Sequence, residues 1–403
     1  MLVCAGTLFI RAQGADASDF KVLPSLTVSE EYTDNAYLEP ANPQEDYTTR
    51  IAPTLGTFYK SPLWDWDAAY TYDYRYHAET NRRDEKTQAA RLVTLVRIIP
   101  RFLFLEVKDD YTRVSTDLVR DYTQESRFVS QTDRNIFSVN PYAVARLTEK
   151  TTMIMGYLYR STWYKNPLSI DTVEHVGSAE CRQEISQTLT ISSGVRYTRN
   201  DNVVGPFTKT DVFTGPTYTY AEGASVAVSV GYSRFAYKND GRLGQAFWDV
   251  RTVHKYSTLT ATAEIGMTYL PDPTQVLRRE DRFLAGIRKE TERTTLDANG
   301  GVREYRNAMT NHLEITSYRA SGIASYALNQ KDRIIGSLII ERLEDEVLDT
   351  AVSRYLTGIR AERKAREDIT WALEYHYANV YSRDSYMSNY TGNRFLVEVR
   401  KGF

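Results

Sequence analysis

The chain reads Trp64-Asp65-Trp66-Asp67-Ala68-Ala69-Tyr70-Thr71-Tyr72-Asp73-Tyr74-Arg75-Tyr76-His77 in its most regular segment. Aromatic side chains and one alanine occupy every second position, and polar or charged side chains occupy most of the positions between them. A β-strand sends successive side chains to opposite faces, whereas a helix would mix the two kinds on every face. The segment therefore predicts a strand with one apolar face and one polar face.

The same alternation returns in other parts of the chain, from Leu259 to Tyr269 and from Ile369 to Tyr377. Strands of about 9–11 residues that alternate in this way cross outer membranes as closed barrels. The composition agrees with this, because 30 Tyr against 14 Phe and 5 Trp suit a membrane–water interface better than a soluble core. We predict an all-β fold, a transmembrane up-and-down antiparallel β-barrel. A soluble propeller or sandwich would need shorter strands of about five residues.

Polar links of alternating length separate the predicted strands. The longer ones are predicted at 33–46, 78–87, 113–134, 164–174, 199–210, 238–245, 270–281, 303–312, 343–353 and 381–391. Short turns lie between them, including Lys255-Tyr256 and a weaker one near Glu290 to Arg293. This pattern predicts about 20 strands, or about 18 without the weaker turn. In such barrels the short turns are periplasmic and the long loops extracellular, so both termini are predicted to be periplasmic.

The two ends of the chain carry different signals. Residues 1–17 combine an apolar stretch with small residues and are predicted to be an export signal peptide that lacks its basic start. Residues 18–403 are predicted to be the barrel. Near the other end, one face of the last strand carries Phe395, Val397, Val399 and Phe403. This resembles the insertion signal that the barrel assembly machinery recognises, although Lys401 departs from it. We therefore expect the outer membrane and its lipid as surroundings.

Alternation also assigns each side chain to a face. The predicted lumen charges are Arg50, Asp65, Asp67, Asp73, Arg75, Arg160, Glu264, Arg288, Glu290, Arg360, Glu374, Arg394 and Arg400. Each of these residues is expected to pair with a charge of opposite sign in arginine–carboxylate ladders. Together, the set is expected to form a charged pore lining. The predicted aromatic girdle consists of Trp64, Trp66, Tyr70, Tyr72, Trp163, Trp371, Tyr375 and Tyr377.

Little in the sequence indicates catalysis or a cofactor. The net charge of -2 offers no attraction for nucleic acid. Cys181 is the single cysteine after residue 17, and no paired-cysteine or paired-histidine motif for zinc or haem is present, so we predict no cofactor. The five histidines lie outside known catalytic motifs, and we predict that the chain is not an enzyme. His77 and His376, at strand ends beside tyrosine, are interpreted as polar lumen or rim residues, and substituting them would test the enzyme alternative.

One stretch carries a family resemblance. Ser29-Glu30-Glu31-Tyr32-Thr33-Asp34-Asn35-Ala36-Tyr37-Leu38, followed by Ile51-Ala52-Pro53-Thr54-Leu55, resembles the second type of bacterial outer-membrane β-barrel porin family. That family includes barrels encoded beside exopolysaccharide and exosortase (PEP-CTERM) loci. The resemblance implies a passive channel, with polysaccharide export and periplasmic export partners as one role, and it carries no catalytic residues to this chain.

These patterns lead to one functional hypothesis and two alternatives. The hypothesis is a porin-like channel for polar or anionic solutes, including an exported exopolysaccharide. The first alternative is a structural docking barrel whose lumen is plugged by loop 113–134. The second is a lipid-modifying or proteolytic barrel enzyme.

Overall fold

Strands of 13–16 residues make up nearly all of the computed structural model, which describes residues 18–79, 84–115, 131–166, 169–203, 205–237, 241–271, 277–383 and 389–403. These residues form β1 (Asp19–Thr33), β2 (Asp46–Lys60), β3 (Trp64–His77), β4 (Glu85–Ile99), β5 (Leu103–Ser115), β6 (Gln131–Arg146), β7 (Thr151–Tyr164), β8 (Thr172–Glu184), β9 (Leu189–Asn202), β10 (Phe207–Ala221), β11 (Ala224–Tyr237), β12 (Gly241–Tyr256), β13 (Leu259–Pro271), β14 (Leu277–Glu290), β15 (Thr294–Asn307), β16 (Leu313–Ala327), β17 (Asp332–Asp345), β18 (Thr350–Lys364), β19 (Ile369–Ser382) and β20 (Tyr390–Gly402). Among the described residues, no helix is long and apolar enough to span a membrane.

The sheet closes on itself. Every strand pairs in antiparallel orientation with the next one along the chain, and β1 pairs with β20 from Ser25 opposite Gly402 to Thr33 opposite Arg394. The described residues thus form a closed barrel of 20 strands. The predicted fold class is confirmed. The count of about 18 is wrong, because the weak turn near Glu290 to Arg293 does join two strands, β14 and β15.

The links differ at the two ends of the barrel. We call the end of the barrel at which β1 begins and β20 ends the turn end. The opposite end is the loop end. At the turn end, Glu222 and Gly223 alone connect β10 to β11, and Gly223 has the positive φ of 72° that such a tight hairpin requires. The turn predicted at Lys255-Tyr256 lies two residues later, because both residues still pair with β13.

Several loop-end links are shorter than predicted, because the strands are longer. The link predicted at 199–210 is reduced to 203–206, and the one at 238–245 to 238–240. A strand of 15 residues spans about 50 Å at about 3.3 Å per residue, well beyond a hydrocarbon layer of about 30 Å, even when tilted. The projecting strand ends carry polar side chains, such as Arg199 and Asp201. In the sequence, such polar stretches look like loops.

Two predicted segments fall largely outside the described residues. The proposed plugging loop 113–134 consists mostly of residues 116–130, which separate β5 from β6 and form the longest interval between two strands. The predicted signal peptide, residues 1–17, also lies outside them.

Exposure follows the alternation along each strand. On β19, Trp371 is 50% exposed and Leu373 is 60% exposed, whereas Ala372 between them is 3% exposed. Large apolar side chains therefore cover the outside of the barrel, which is the surface that lipid contacts.

Candidate functional site

The inner face of the barrel can be identified from contacts that skip a strand. Arg360 on β18 reaches Glu398 on β20, with 2.9 Å between Nη2 and Oε1, across the intervening β19. Arg282 on β14 likewise reaches Asp249 on β12 at 2.5 Å. Side chains from next-nearest strands converge in this way on the concave side of a curved sheet. Directly opposed residues share a face, so the strand ladders extend this assignment around the barrel.

The ladders bring the predicted lumen residues to one face. The inner face holds Arg50, Asp65, Asp67, Asp73, Arg75, Arg160, Glu264, Arg288, Glu290, Arg360, Glu374, Arg394 and Arg400. The outer face holds the predicted girdle residues and three of the insertion residues: Trp64, Trp66, Tyr70, Tyr72, Trp163, Trp371, Tyr375, Tyr377, Phe395, Val397 and Val399. Phe403 follows the last strand and is 70% exposed. The roles of these residues in selection, anchoring and insertion stay predictions.

Aromatic rings contact one another at both ends of the outer face. Near the turn end, the ring centroids of Trp64 and Trp66 are 4.6 Å apart, and Tyr59 lies 5.0 Å from Trp66. Toward the loop end, Tyr32 and Tyr47 are 4.9 Å apart. Two separated aromatic groups are the arrangement expected where a barrel meets the two membrane interfaces.

Arg360 is the centre of the densest charge cluster on the inner face. Its guanidinium contacts Glu362 at 2.7 Å, Glu374 at 2.7 Å and Glu398 at 2.9 Å. Glu374 also accepts a contact of 2.5 Å from His376 Nε2. One planar guanidinium therefore holds carboxylates from three neighbouring strands, which uses its fork of donors fully.

A second cluster surrounds Arg282, 12% exposed, which contacts Glu264 and Asp249. Arg251 adds a contact of 2.9 Å to Asp249, so two arginines share two carboxylates. Both signs of charge alternate within this cluster, as they do around Arg360.

A third group of ion pairs extends toward the loop end. Asp73 accepts Arg50 at 2.8 Å and Arg75 at 2.9 Å, and Arg75 lies 3.8 Å from Glu85. Nearer the turn end, Arg97 contacts Asp65 at 2.5 Å. The inner wall is thus densely charged, but many of its charges are neutralised in ion pairs. Side chains such as Asp73 and Arg360 are held by more than one charged partner.

Two polar side chains contact one ring nitrogen of His77. Thr48 Oγ1 lies 3.1 Å and Asp46 Oδ2 lies 2.9 Å from its Nδ1. Among the described residues there is no group of three or more histidine, cysteine, aspartate or glutamate side chains that could hold a metal ion.

An apolar cluster near the loop end was not visible in the sequence. Phe207 and Phe235 belong to the inner face of β10–β11, and Tyr269 and Leu277 belong to the outer face of β13–β14, yet all are packed together with less than a tenth of their surface exposed. The β12–β13 ladder ends at Trp248 opposite Met267, so the strands separate above it.

This packing places the tip of the β13–β14 pair on the lumen side of β10–β12. Hydrogen bonds hold it there: Tyr269 Oη donates to Gln245 Oε1 at 3.3 Å, and Gln245 Nε2 donates to the Ala308 carbonyl at 3.4 Å. We call Tyr269, Leu277 and their partners Phe207, Phe235 and Ala308 the tip cluster. It lies near the loop end, against the inner face of β10–β11.

A second apolar contact covers the opposite part of the mouth. Leu38, in the link between β1 and β2, packs against Val352, Val380 and Tyr390. The preceding Asn35 Nδ2 donates to the Thr391 carbonyl at 2.9 Å. The Tyr-Thr-Asp-Asn motif behind the family resemblance therefore has a structural function here, because it fastens this link to β20.

Removing the Arg360 guanidinium is expected to destabilise the barrel. Arg360→Met leaves Glu362, Glu374 and Glu398 close together without their shared cation and should lower the free energy of unfolding by about 3 kcal/mol. Arg363→Met is the matched control, since Arg363 is 70% exposed and should cost less than about 0.5 kcal/mol. Equilibrium urea unfolding of the refolded barrel, followed by tryptophan fluorescence, measures both values. Equal losses in the two variants would contradict the role of the cluster.

Comparison with known proteins shows the fold. No family model matches the chain, and no curated protein matches it. Solved structures do: the copper transporter OprC at 11% identity, covering 94% of this chain and 83% of that one, with a TM-score of 0.54. The FrpB iron transporter from Neisseria meningitidis, in its apoprotein form, matches at 8% identity, 94% and 81% coverage and a TM-score of 0.55.

The siderophore receptor PirA from Pseudomonas aeruginosa is similar at 10% identity, with 95% and 80% coverage and a TM-score of 0.52. At these identities the likeness lies in the architecture, a closed antiparallel barrel. With its apolar outer face and polar inner face, this chain is a β-barrel of the bacterial outer membrane.

Proposed function

We propose that this chain is a porin-like outer-membrane channel that carries polar or anionic solutes through a water-filled lumen. The observation that carries the proposal is the inner face, where charged side chains line a closed barrel of 20 strands. Barrels of about 16–18 strands already enclose an aqueous channel, and the diameter grows with strand number. A charged wall of this kind is stable only beside water or other charges.

The structural neighbours support transport in general terms, since they are described as transporters and receptors for copper, iron and siderophores. The finer choice of cargo rests on other grounds. Paired arginines and carboxylates favour a polar solute over an apolar one. The resemblance around Ser29 to Leu38 adds an exopolysaccharide as a specific candidate, exported together with periplasmic partners.

The proposal includes an orientation. The start of β1 and the end of β20 both lie at the turn end. The short turns of such barrels face the periplasm. We therefore infer that residues 1–17 direct export, that the barrel assembly machinery recognises Phe395 to Phe403, and that the loop end faces the outside.

A docking barrel with a closed lumen is the second candidate. The tip cluster and Leu38 favour it to the extent that both occupy the mouth at the loop end. Most of the predicted plug, 113–134, lies outside the described residues, so this candidate depends on how far the mouth is narrowed.

Planar-bilayer recording distinguishes the two candidates. The refolded barrel should insert and produce discrete conducting steps, with weak selectivity between cations and anions because the wall charges are largely paired. A folded barrel that inserts into the bilayer and never conducts would exclude the channel and leave the docking barrel.

The tip cluster should limit the current. Replacing both Tyr269 and Leu277 by Ser removes the apolar contact that holds the tip against β10–β12, and the single-channel conductance should rise. Tyr318→Ser is the control, because Tyr318 lies on the outer face and is 42% exposed. An unchanged conductance in the folded double variant would show that the tip does not narrow the conducting path.

A further inference from the structure

A groove runs along the inner wall across β15–β20. The ladders place Asp297 of β15, His376 of β19 and Arg394 of β20 in one row. The adjacent row toward the loop end begins at Asn299 and ends at Gly392. Four positions within these rows carry small side chains or none: Ser321, Ser337, Ala378 and Gly392. The space they leave is a cavity of about 410 Å³.

Charged rows border the groove on both sides. Toward the turn end lies the Arg360 cluster, and toward the loop end lie Arg319, Glu341 and Arg354 in directly opposed positions. The groove is therefore a built depression between two ordered rows.

At one end of the groove lies an arginine, Arg319, that is only loosely paired with a carboxylate. Glu341 makes its close contact with Arg354, and both of these side chains are 6% exposed. Arg319 reaches the same carboxylate only at 3.9 Å and keeps 45% of its side chain exposed. Arginine in this condition can present its donors to a carboxylate or phosphate.

A second cavity, of about 460 Å³, extends the groove beyond Arg319. It shares Asn299, Arg319 and Ser321 with the first cavity and adds Arg303 and Ser317. Arg303 lies 3.3 Å from Glu280 and keeps 43% of its side chain exposed. Two half-exposed arginines with serine and asparagine donors beside them form an anion-binding surface.

The middle of the groove is aliphatic. Ile323, Ile339 and Leu356 belong to the inner face there, and Ile323 is 55% exposed whereas Leu356 is 9% exposed. An apolar patch within a concave site with a few polar groups is the usual form of a small-molecule site. An apolar segment of a ligand would remove this surface from water.

We propose that this groove binds an amphipathic organic anion. Its acid group lies between Arg303 and Arg319, and its apolar segment lies along Ile323, Ile339 and Leu356. The inference deepens the proposed channel function, because such a solute would reach the groove through the lumen.

Isothermal titration calorimetry of the full-length barrel in a non-ionic detergent tests the proposal with hexanoate as the probe. Hexanoate should bind to the wild type, and Arg319→Gln should weaken it by about tenfold or more because a charge-assisted contact is lost. Ile323→Ser should weaken hexanoate by about fivefold while leaving the weaker binding of acetate unchanged. Hexanamide, which has no charge, should bind more weakly than hexanoate by about tenfold.

Arg182→Gln is the matched control, since Arg182 lies on the inner face of β8, far along the wall from the groove, and is 51% exposed. It should bind hexanoate like the wild type. Equal hexanoate binding by wild type and Arg319→Gln, or equal binding of hexanoate and hexanamide, would overturn the proposal.

Calorimetry needs no ion flow, so the two hypotheses fail separately. A conducting barrel that does not bind hexanoate refutes the groove alone. A barrel that binds hexanoate with the expected variant pattern but never conducts refutes the channel alone.

Discussion

Backbone hydrogen bonding between β1 and β20 is the constraint on which the rest of the structure depends. In a bilayer, each backbone N–H and C=O without a partner costs several kcal/mol, so a membrane sheet must close. The seam from Ser25 to Thr33 meets this requirement, and the Phe403 N–H extends it by donating to the Pro24 carbonyl at 2.9 Å. Because β20 pairs with β1 in antiparallel orientation, the start of β1 and the end of β20 lie at the same end of the barrel.

Closure then decides where charge can lie. A closed sheet has one convex face in lipid and one concave face, so the alternation along each strand becomes a division between lipid and lumen. On the concave side, arginines can reach beyond the neighbouring strand, as Arg360 does to Glu398. Dense charge is thereby tolerated, because carboxylates such as Glu374 and Glu398 meet a guanidinium where they leave bulk water.

The faces and the strand count could be predicted from the sequence because both depend on local periodicity. Trp64 to His77 contains its own register, and the ladders place the predicted lumen residues together. The ends of the strands were harder to predict. Arg199 and Asp201 are polar side chains on a part of β9 that extends beyond the hydrocarbon layer. The turn at Ser257 and Thr258 was misplaced for a similar reason, as polar Lys255 and Tyr256 still pair.

The site details escaped sequence reasoning because they join residues far apart in the chain. Tyr269 has the parity of the outer face, and only the separation of β12 from β13 brings it against Phe235. The groove requires Asn299 and Gly392 to share a row across six strands, which depends on the register of every ladder between them. The role of Asn35 likewise appears only where β20 passes beside it.

Thiol labelling along β19 tests the division into lipid and lumen faces most directly. Single cysteines at positions 371–376 would be placed in a background in which Cys181 is replaced by alanine, and the barrel in lipid vesicles would be exposed to a membrane-impermeant thiol reagent. The account predicts that cysteines at Glu374 and His376 react from the aqueous lumen. Those at Trp371, Leu373 and Tyr375 should stay unlabelled, and equal labelling at both sets of positions would contradict a water-filled barrel with this register.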